Sequence, residues 1–565
     1  MRKNHNRNIL HKEIPKTELV SIAPSSRFYW IGLSGIIVLA LFLRLAGIWK
    51  SEPIDYHPDE WVLANPIFTL ANDAETGMKT HYKWPGCGVI YLVGYLLYCM
   101  KWLFGPYSYN NILIILRIIS AFASTGAVVA AFFLAKKLFH VRAALLAALF
   151  FAIAKVLVLH GHYGTLDSIV SLLILLVMLI AFELFDISPD HKQPDLKAVF
   201  CILLGVLCGW GIASKWTVIL AAIPISGAFF LSGWAGRKSH MWKVFITTNA
   251  VRIFIILITM GIIYLASNPD FLMNPHKVIE GFTYEMIHNQ TGHYGSVTSD
   301  KAALHERLGR TWNALSGCGN LFFLLAGIVS FLYCVKTLSR QTAFLVYSLL
   351  IWLWVLIRNL LAPERHHLVP YTFILLLISY MLGQFIFSRY RWLKVSTWVI
   401  IIFLSLSGLI YSCITISPFW KHDGRVDCAN WIMENVPAGS GVTWAPRTHN
   451  WNVPGTRIVP ELFQRYPREA EPGKYQYVIA AHNWLGIFRK HPPSRPIDPK
   501  EWFPSNPPSM GELQLYAEMI AGEGPNLTKV KVFPAAKPSF LGLDFSMFGM
   551  LMPPASTNAS WGVTL

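Results

Sequence analysis

The sequence has 565 residues, 54% of them hydrophobic and only 14% charged, with a mean hydropathy of +0.43. Soluble globular chains carry about 25% charged residues, so a mainly soluble protein is excluded, and apolar runs along most of the chain mark a polytopic membrane protein. The net charge of +17 does not point to nucleic acid: residues 418–565 hold 14 Lys and Arg against 12 Asp and Glu, so nearly all the excess sits in the apolar 417 residues, where basic loops orient spans.

Residues 1–27 are polar and basic and read as a cytoplasmic tail. The run 28–48 is too long for a signal-peptide core and reads as an uncleaved anchor. Further apolar segments fall at 86–104, 112–135, 143–160, 168–185, 198–213, 217–233, 250–267, 312–335, 342–361, 368–387 and 395–416. If all twelve span, the basic clusters Lys136-Lys137-Arg142, Arg237-Lys238-Lys243 and Arg389-Arg391-Lys394 land outside, against the positive-inside rule. Demoting 86–104 to an interfacial or re-entrant helix turns every cluster inward. That segment opens Pro85-Gly86-Cys87-Gly88 and carries Tyr91, Tyr95, Tyr98, Lys101 and Trp102, the composition of an interfacial helix. The expectation is therefore eleven spans, with the N-terminus inside and the C-terminus outside.

The eight cysteines form no CxxC pair, which argues against a disulfide scaffold or structural zinc site. After Ser417 the composition shifts abruptly: 19 of the 33 prolines lie in 418–565, and hydrophobic runs shorten to strand length at Gly441-Val-Thr-Trp, Tyr477-Val-Ile-Ala-Ala and Val530-Lys-Val-Phe. Residues 426–436 read as an amphipathic helix. A small extracytoplasmic α/β domain over 418–565 is the expected organisation.

The loops with unusual chemistry fall on the expected outer face. Tyr56-His57-Pro58-Asp59-Glu60-Trp61 follows the first span, and adjacent carboxylates there repel, so one can acquire a raised pKa suited to proton abstraction. The same acids after Pro58 also suit a helix N-terminus. Asp167 ends the loop His160-Gly-His162-Tyr-Gly-Thr-Leu-Asp167 and is equally a candidate acid or a helix N-cap. Lys83, Lys215 and Arg365 are outward cations. Lys215 lies between two apolar spans with no carboxylate near it in sequence, so a ligand phosphate is a candidate partner. Lys83 and Arg365 could instead snorkel to headgroups, and snorkelling is the default reading for Arg44, Arg117, Lys155, Arg252 and Arg358. Carboxylates beside cations at headgroup depth suit transfer from a lipid-linked phosphosugar to an acceptor hydroxyl.

At these residues the sequence resembles the GT-C superfamily of polytopic glycosyltransferases, and within it the glycosyltransferase family 39 type, which includes protein O-mannosyltransferases and lipid A aminoarabinose transferases. The resemblance rests on His57-Pro-Asp-Glu60, Tyr82-Lys83-Trp84-Pro85, His162 to Asp167, Gly211-Ile-Ala-Ser-Lys215 and Pro363-Glu-Arg365 to Pro370, over about residues 28–417. It implies a GT-C membrane fold of about eleven helices, with interfacial helices in the first outer loop. It also implies an inverting transfer from a polyprenyl-phosphate sugar to an unknown acceptor. In that reading Asp59 is the catalytic acid of the first loop, Glu60 its companion and Asp167 the second-loop acid. Lys83, Lys215 and Arg365 contact the donor phosphate, and His57, Tyr82, His160, His162 and His366 line the site. Lys83-Trp84-Pro85 departs from the family's Lys-Pro-Pro, and His366-His367 stand where the family often has Tyr and an aliphatic. The 429–437 stretch is similar to outer domains of bacterial members, which favours a bacterial inner membrane over the endoplasmic reticulum.

Two other readings stay open. One is an en bloc oligosaccharide transferase or ligase, which would bind a divalent metal through Asp59, Glu60 and Asp167; the simpler transferase requires no cofactor. The other is a lipid-sugar transporter or flippase, which would place ionisable residues near the bilayer midplane in two related halves. No half-to-half correspondence is visible in the sequence.

Overall fold

The computed structural model describes residues 26–49, 57, 59–79, 87–185, 194–236, 242–291, 304–358, 364–420, 424–444 and 476–481, with the strand pairs 532–533, 539–540, 543–544 and 563–564. Tyr82 and Lys83 lie outside the described residues. The helices in chain order are α1 (Ser26–Leu45), α2 (Glu60–Asn72), α3 (Ala74–Lys79), α4 (Cys87–Phe104), α5 (Tyr109–Leu138), α6 (Val141–Ala152), α7 (Lys155–His162), α8 (Asp167–Leu184) and α9 (Pro194–Ser214). They continue as α10 (Ala222–Gly236), α11 (Trp242–Ser267), α12 (Pro269–Met273), α13 (Pro275–Thr291), α14 (Leu304–Cys318), α15 (Leu321–Lys336), α16 (Arg340–Arg358), α17 (Leu368–Ile386), α18 (Arg391–Ile416) and α19 (Gly424–Asn435). Short 3-10 turns occupy Trp216–Ala221 and Glu364–His367.

Among the described residues nine helices are long and apolar enough to cross a membrane, or eleven if two bent pairs each count as one. The protein is thus an integral membrane helical bundle, as expected, but its members differ from the expected set. Cys87–Phe104 qualifies by length and composition, whereas Trp216–Leu231 is a shorter apolar helix that begins in a 3-10 turn. The expected span 143–160 is α6 and α7, bent by 52°. The expected span 312–335 is not one helix: α14 meets α15 at 113°. Asn320 explains the restart, because its side chain accepts from the Phe323 N–H at 3.1 Å and caps α15.

The core centres on α5, α6, α8 and α17, whose buried faces run through Ala127, Ala131, Phe150, Ile174, Val177, Leu375 and Ile378. The break between α6 and α7 is held by a charge. Arg44 is fully buried, and its guanidinium donates to the carbonyls of Phe151 and Ala152 at 2.9 Å and to Ser124 Oγ at 2.7 Å. Ser412 Oγ donates to the Ile153 carbonyl at 2.8 Å. These donors satisfy carbonyls that the end of α6 leaves without helical partners. The snorkelling reading therefore fails for Arg44, and also for Arg117 and Lys155, each 1% exposed and ion-paired inside the bundle. Exposed Arg358, lying over the Trp354 ring at 4.8 Å, keeps it.

Beyond residue 418, α19 precedes a four-stranded sheet. Its strands are β1 (Gly441–Trp444), β2 (Gln476–Ala481), β3 (Val532–Phe533) and β6 (Val563–Thr564), in the order β1-β2-β6-β3. β1 runs parallel to β2, and β6 is antiparallel to both β2 and β3. β4 (Ser539–Phe540) and β5 (Leu543–Asp544) form a separate antiparallel pair.

Candidate active site

Four loop or turn segments meet at one end of the bundle. The first is the entry to α2. Asp59 occupies the position before that helix, yet its side chain makes no capping bond. Its backbone N–H instead donates to His57 Nδ1 at 3.1 Å, and its Oδ2 accepts from Arg365 Nη1 at 2.5 Å, across 306 residues. His57 Nε2 lies 3.3 Å from the same Arg365 nitrogen. Asp59 and Glu60 do stand at a helix N-terminus, as that reading expected, but the Asp59 carboxylate is turned toward a cation.

Glu60, its neighbour, goes the other way. It is fully buried, accepts from Arg117 Nη2 at 2.8 Å and Nε at 3.1 Å, and accepts from the Gly164 N–H at 2.6 Å. A Cβ on Gly164 would meet Leu116 Cβ at 2.9 Å and Glu60 Oε1 at 3.3 Å, so glycine is what lets the second loop close onto this carboxylate. Glu60 ties the first loop to α5 and to the second loop; neither it nor Asp59 is among the residues that line the cleft around Lys215 and Arg365, which Asp59 meets through Arg365.

The second segment is the 160–167 loop. Asp167 is 5% exposed; its Oδ1 accepts from Lys215 Nζ at 2.5 Å and its Oδ2 from Thr165 Oγ1 at 3.2 Å. His160 Nδ1 stands 3.7 Å from Oδ2. The N-cap of α8 is Leu166, without a side-chain cap bond, so Asp167 is the first helical residue and not the expected cap. His162 is spent structurally: it stacks on Phe419 at 4.6 Å, with its two ring nitrogens 2.9 Å from the Val158 and Ala46 carbonyls. Tyr163 separates the two site histidines, its ring centroid 5.1 Å from His57 and 5.5 Å from His160.

The third segment is Lys215, in extended conformation between α9 and the 3-10 turn. The carboxylate partner that sequence proximity does not reveal is Asp167, 48 positions away. The fourth is the Glu364–His367 turn, which carries Arg365 and His366. Asp167, Lys215, Arg365 and His366 line one open cleft together with Ser171, Thr217 and the apolar side chains of Val170, Leu220, Trp352, Leu356, Leu368 and Val369. Trp352 gives no signal in the sequence because an aromatic in an apolar run looks like core, and Tyr163 stands among loop residues that offer more obvious chemistry. Glu285 on α13 did too. It shares a helix face with Val278 and with Phe282, whose ring packs 4.4 Å from Trp216 beside Lys215. An acid seven residues after an apolar one on an amphipathic outer helix was the available signal.

The charges act on one another. Partial burial would raise the Asp59 pKa, but Arg365, His57 and Lys215 more than reverse this and hold it below its ordinary 3.8. Asp59 is therefore not the raised acid expected from the Asp59-Glu60 pair, because its carboxylate faces Arg365. Burial lowers His57 below 6.5, against the opposing pull of Asp59. Glu285 is raised above 4.5, by burial first and then by the Asp59 charge.

Among the described residues no group of three His, Cys, Asp or Glu side chains could hold a metal ion. The expected donors Asp59, Glu60 and Asp167 point to three separate cations and do not fit one metal centre.

Residues 91–264, which include Asp167 and Lys215, match a family model described as dolichyl-phosphate-mannose-protein mannosyltransferase. The Archaeoglobus fulgidus oligosaccharyltransferase in complex with Zn and sulfate superposes with a TM-score of 0.50 at 13% identity, over 86% of this chain and 71% of that one. The chain has the GT-C fold. ArnT from Cupriavidus metallidurans bound to undecaprenyl phosphate gives a TM-score of 0.48 at 11% identity, over 84% and 96% of the two chains. The S. cerevisiae Pmt1-Pmt2 complex bound to the sugar donor gives 0.35 at 16%, over 44% and 34%. The chain spans 62% of the apo A. fulgidus oligosaccharyltransferase. No curated protein sequence matches it.

Proposed function

We propose that this GT-C protein transfers a sugar from a polyprenyl monophosphate donor to an acceptor hydroxyl at the extracytoplasmic face of a bacterial inner membrane, inverting the anomeric centre. The observation that carries the reading is the mixed cationic and apolar lining of the cleft. Lys215 and Arg365, brought together from distant segments, supply its cations, and Val170, Leu220, Trp352, Leu356, Leu368 and Val369 supply an apolar lining beside Asp167, Ser171, Thr217 and His366. An amphiphile with an anionic head suits that lining, and charge-assisted bonds to a phosphate are among the stronger polar contacts. The description of the matching family and the bound undecaprenyl phosphate of the Cupriavidus ArnT support it.

In this reading Lys215 and Arg365 receive the phosphate, with Lys83 as a third contact inferred from the resemblance. Both cations are already paired with carboxylates, so the incoming phosphate shares Arg365 with Asp59. Asp59, 37% exposed and ionised at neutral pH, is the general base that takes the acceptor proton as the hydroxyl attacks the anomeric carbon. The electron pair of the breaking glycosidic bond leaves on the polyprenyl phosphate, where the cations stabilise it. Asp167 orients Lys215, and His57 orients Asp59. His366 lines the cleft, and His160 stands beside Asp167. Glu60 is a structural anchor. No step is routed through a divalent metal.

Purified protein supplied with a panel of polyprenyl monophosphate sugars tests this. Release of free polyprenyl phosphate with sugar on an acceptor is expected. Binding without any transfer, with movement of the lipid across vesicles, would favour the flippase reading.

A further inference from the structure

Lys155 is a buried cation that the proposed chemistry leaves unused. It is the first residue of α7, just past the 52° break, and its side chain is 0% exposed. Its Nζ donates to the Gly317 carbonyl at 2.6 Å and to Glu364 Oε2 at 3.2 Å, under the Tyr411 ring at 5.5 Å. Gly317 belongs to the end of α14, beside the 113° break, and a Cβ there would collide with the Glu364 carboxylate. Cys318 Sγ reaches the Glu364 carbonyl at 3.5 Å. Glu364 is thus gripped on its side chain and its backbone, and the next residue is Arg365.

The ion pair therefore joins three chain breaks: the start of α7, the end of α14, and the 3-10 turn before α17. The same α7 carries His160 toward Asp167 at its other end. Buried ion pairs add little net stability compared with apolar packing, so a geometric role is the better account of this one. We propose that the Lys155–Glu364 pair is a positioning device that holds the Glu364–His367 turn so that the Arg365 guanidinium faces both Asp59 and the donor phosphate. It acts on donor binding through Arg365. The inference rests on the reading that Arg365 contacts that phosphate.

The test uses the purified full chain and undecaprenyl phosphate as probe, with dissociation constants and thermal midpoints measured together. Glu364→Gln is expected to weaken binding about threefold to tenfold. In an Arg365→Ala background the same change should add less than about twofold, because the group it positions is gone. Lys155→Met/Glu364→Gln removes both charges and is expected to recover the thermal midpoint while binding stays weak, which a merely structural pair would not show. Additive weakening in the Arg365→Ala background, or wild-type binding by the double variant, would overturn this proposal alone. Wild-type binding by Arg365→Ala itself would overturn the phosphate site and the proposal with it.

Discussion

Glu60 and Asp59 are adjacent in sequence, yet the structure gives them opposite tasks, and Glu60→Gln exposes the difference. The substitution keeps shape and one carbonyl-type acceptor for the Gly164 N–H but removes the charge facing Arg117. That guanidinium is 1% exposed, and the Ile48 carbonyl at 3.4 Å, an uncharged acceptor, would not replace the lost carboxylate charge. Leaving one member of a buried ion pair uncompensated costs about 3–5 kcal/mol, a large part of a typical stability of about 5–15 kcal/mol. Thermal unfolding in detergent should therefore show a clear loss of stability. Protein that remains folded should bind undecaprenyl phosphate normally and turn over within a few-fold of wild type. Glu60→Leu/Arg117→Met, which removes both charges, should recover most of the lost stability. A Glu60→Gln protein as stable as wild type but inactive would refute this reasoning and return Glu60 to the chemistry.

Four further outcomes follow from the same geometry. With Asp59 held below 3.8 and His57 below 6.5, turnover should show no acidic limb between pH 6.5 and 8 from either group; the Asp59–Arg365 pair contributes stability above the ordinary carboxylate pKa and loses it only as pH falls through the lowered value. A limb centred near pH 7 would contradict both assignments. Lys215→Ala should weaken undecaprenyl phosphate binding about tenfold to hundredfold, the scale of roughly 1.5–3 kcal/mol for a charge-assisted contact, and unchanged titration binding would place the phosphate elsewhere. Glu285→Gln removes a negative charge that acts on Arg365 and Lys215, so donor binding should tighten by about 1 kcal/mol or less, read by the same titration; weaker binding would show that Glu285 contacts the ligand directly. Reporter tags after Lys137, Lys238 and Arg391 should score cytoplasmic and a C-terminal tag external; an external Lys238 would overturn the expected orientation.

The helical bundle was legible from composition and apolar runs because burial in a bilayer imposes a length and a polarity that single segments display. The grouping of Asp59, Asp167, Lys215 and Arg365 was legible only as a shared side of short motifs. Which carboxylate meets which cation was not. The pairs Asp59–Arg365, Glu60–Arg117, Lys155–Glu364 and Lys215–Asp167 are separated by 306, 57, 209 and 48 residues, and local periodicity carries no information about them. Arg44 and Lys155 misled for a related reason. A cation near a helix end is ordinarily free to reach headgroups, but here the break between α6 and α7 and the turn at Glu364 offer carbonyls and a carboxylate inside the bundle. The break within 312–335 escaped because continuous hydrophobicity does not report where a polar residue such as Asn320 restarts a helix.

The central claim is that Asp59 takes the acceptor proton in a direct displacement at the anomeric carbon. The measurement that tests it most directly follows rate and product configuration together, in wild type and Asp59→Asn, with one active polyprenyl monophosphate sugar. Removing a general base costs about 10²–10⁴-fold, while an ion pair whose carboxylate is 37% exposed contributes about 1 kcal/mol to stability. The variant should therefore fold and bind donor but turn over at least about a hundredfold more slowly, and wild type should yield the inverted anomer. A retained configuration, or an Asp59→Asn enzyme within a few-fold of wild type, would contradict the account.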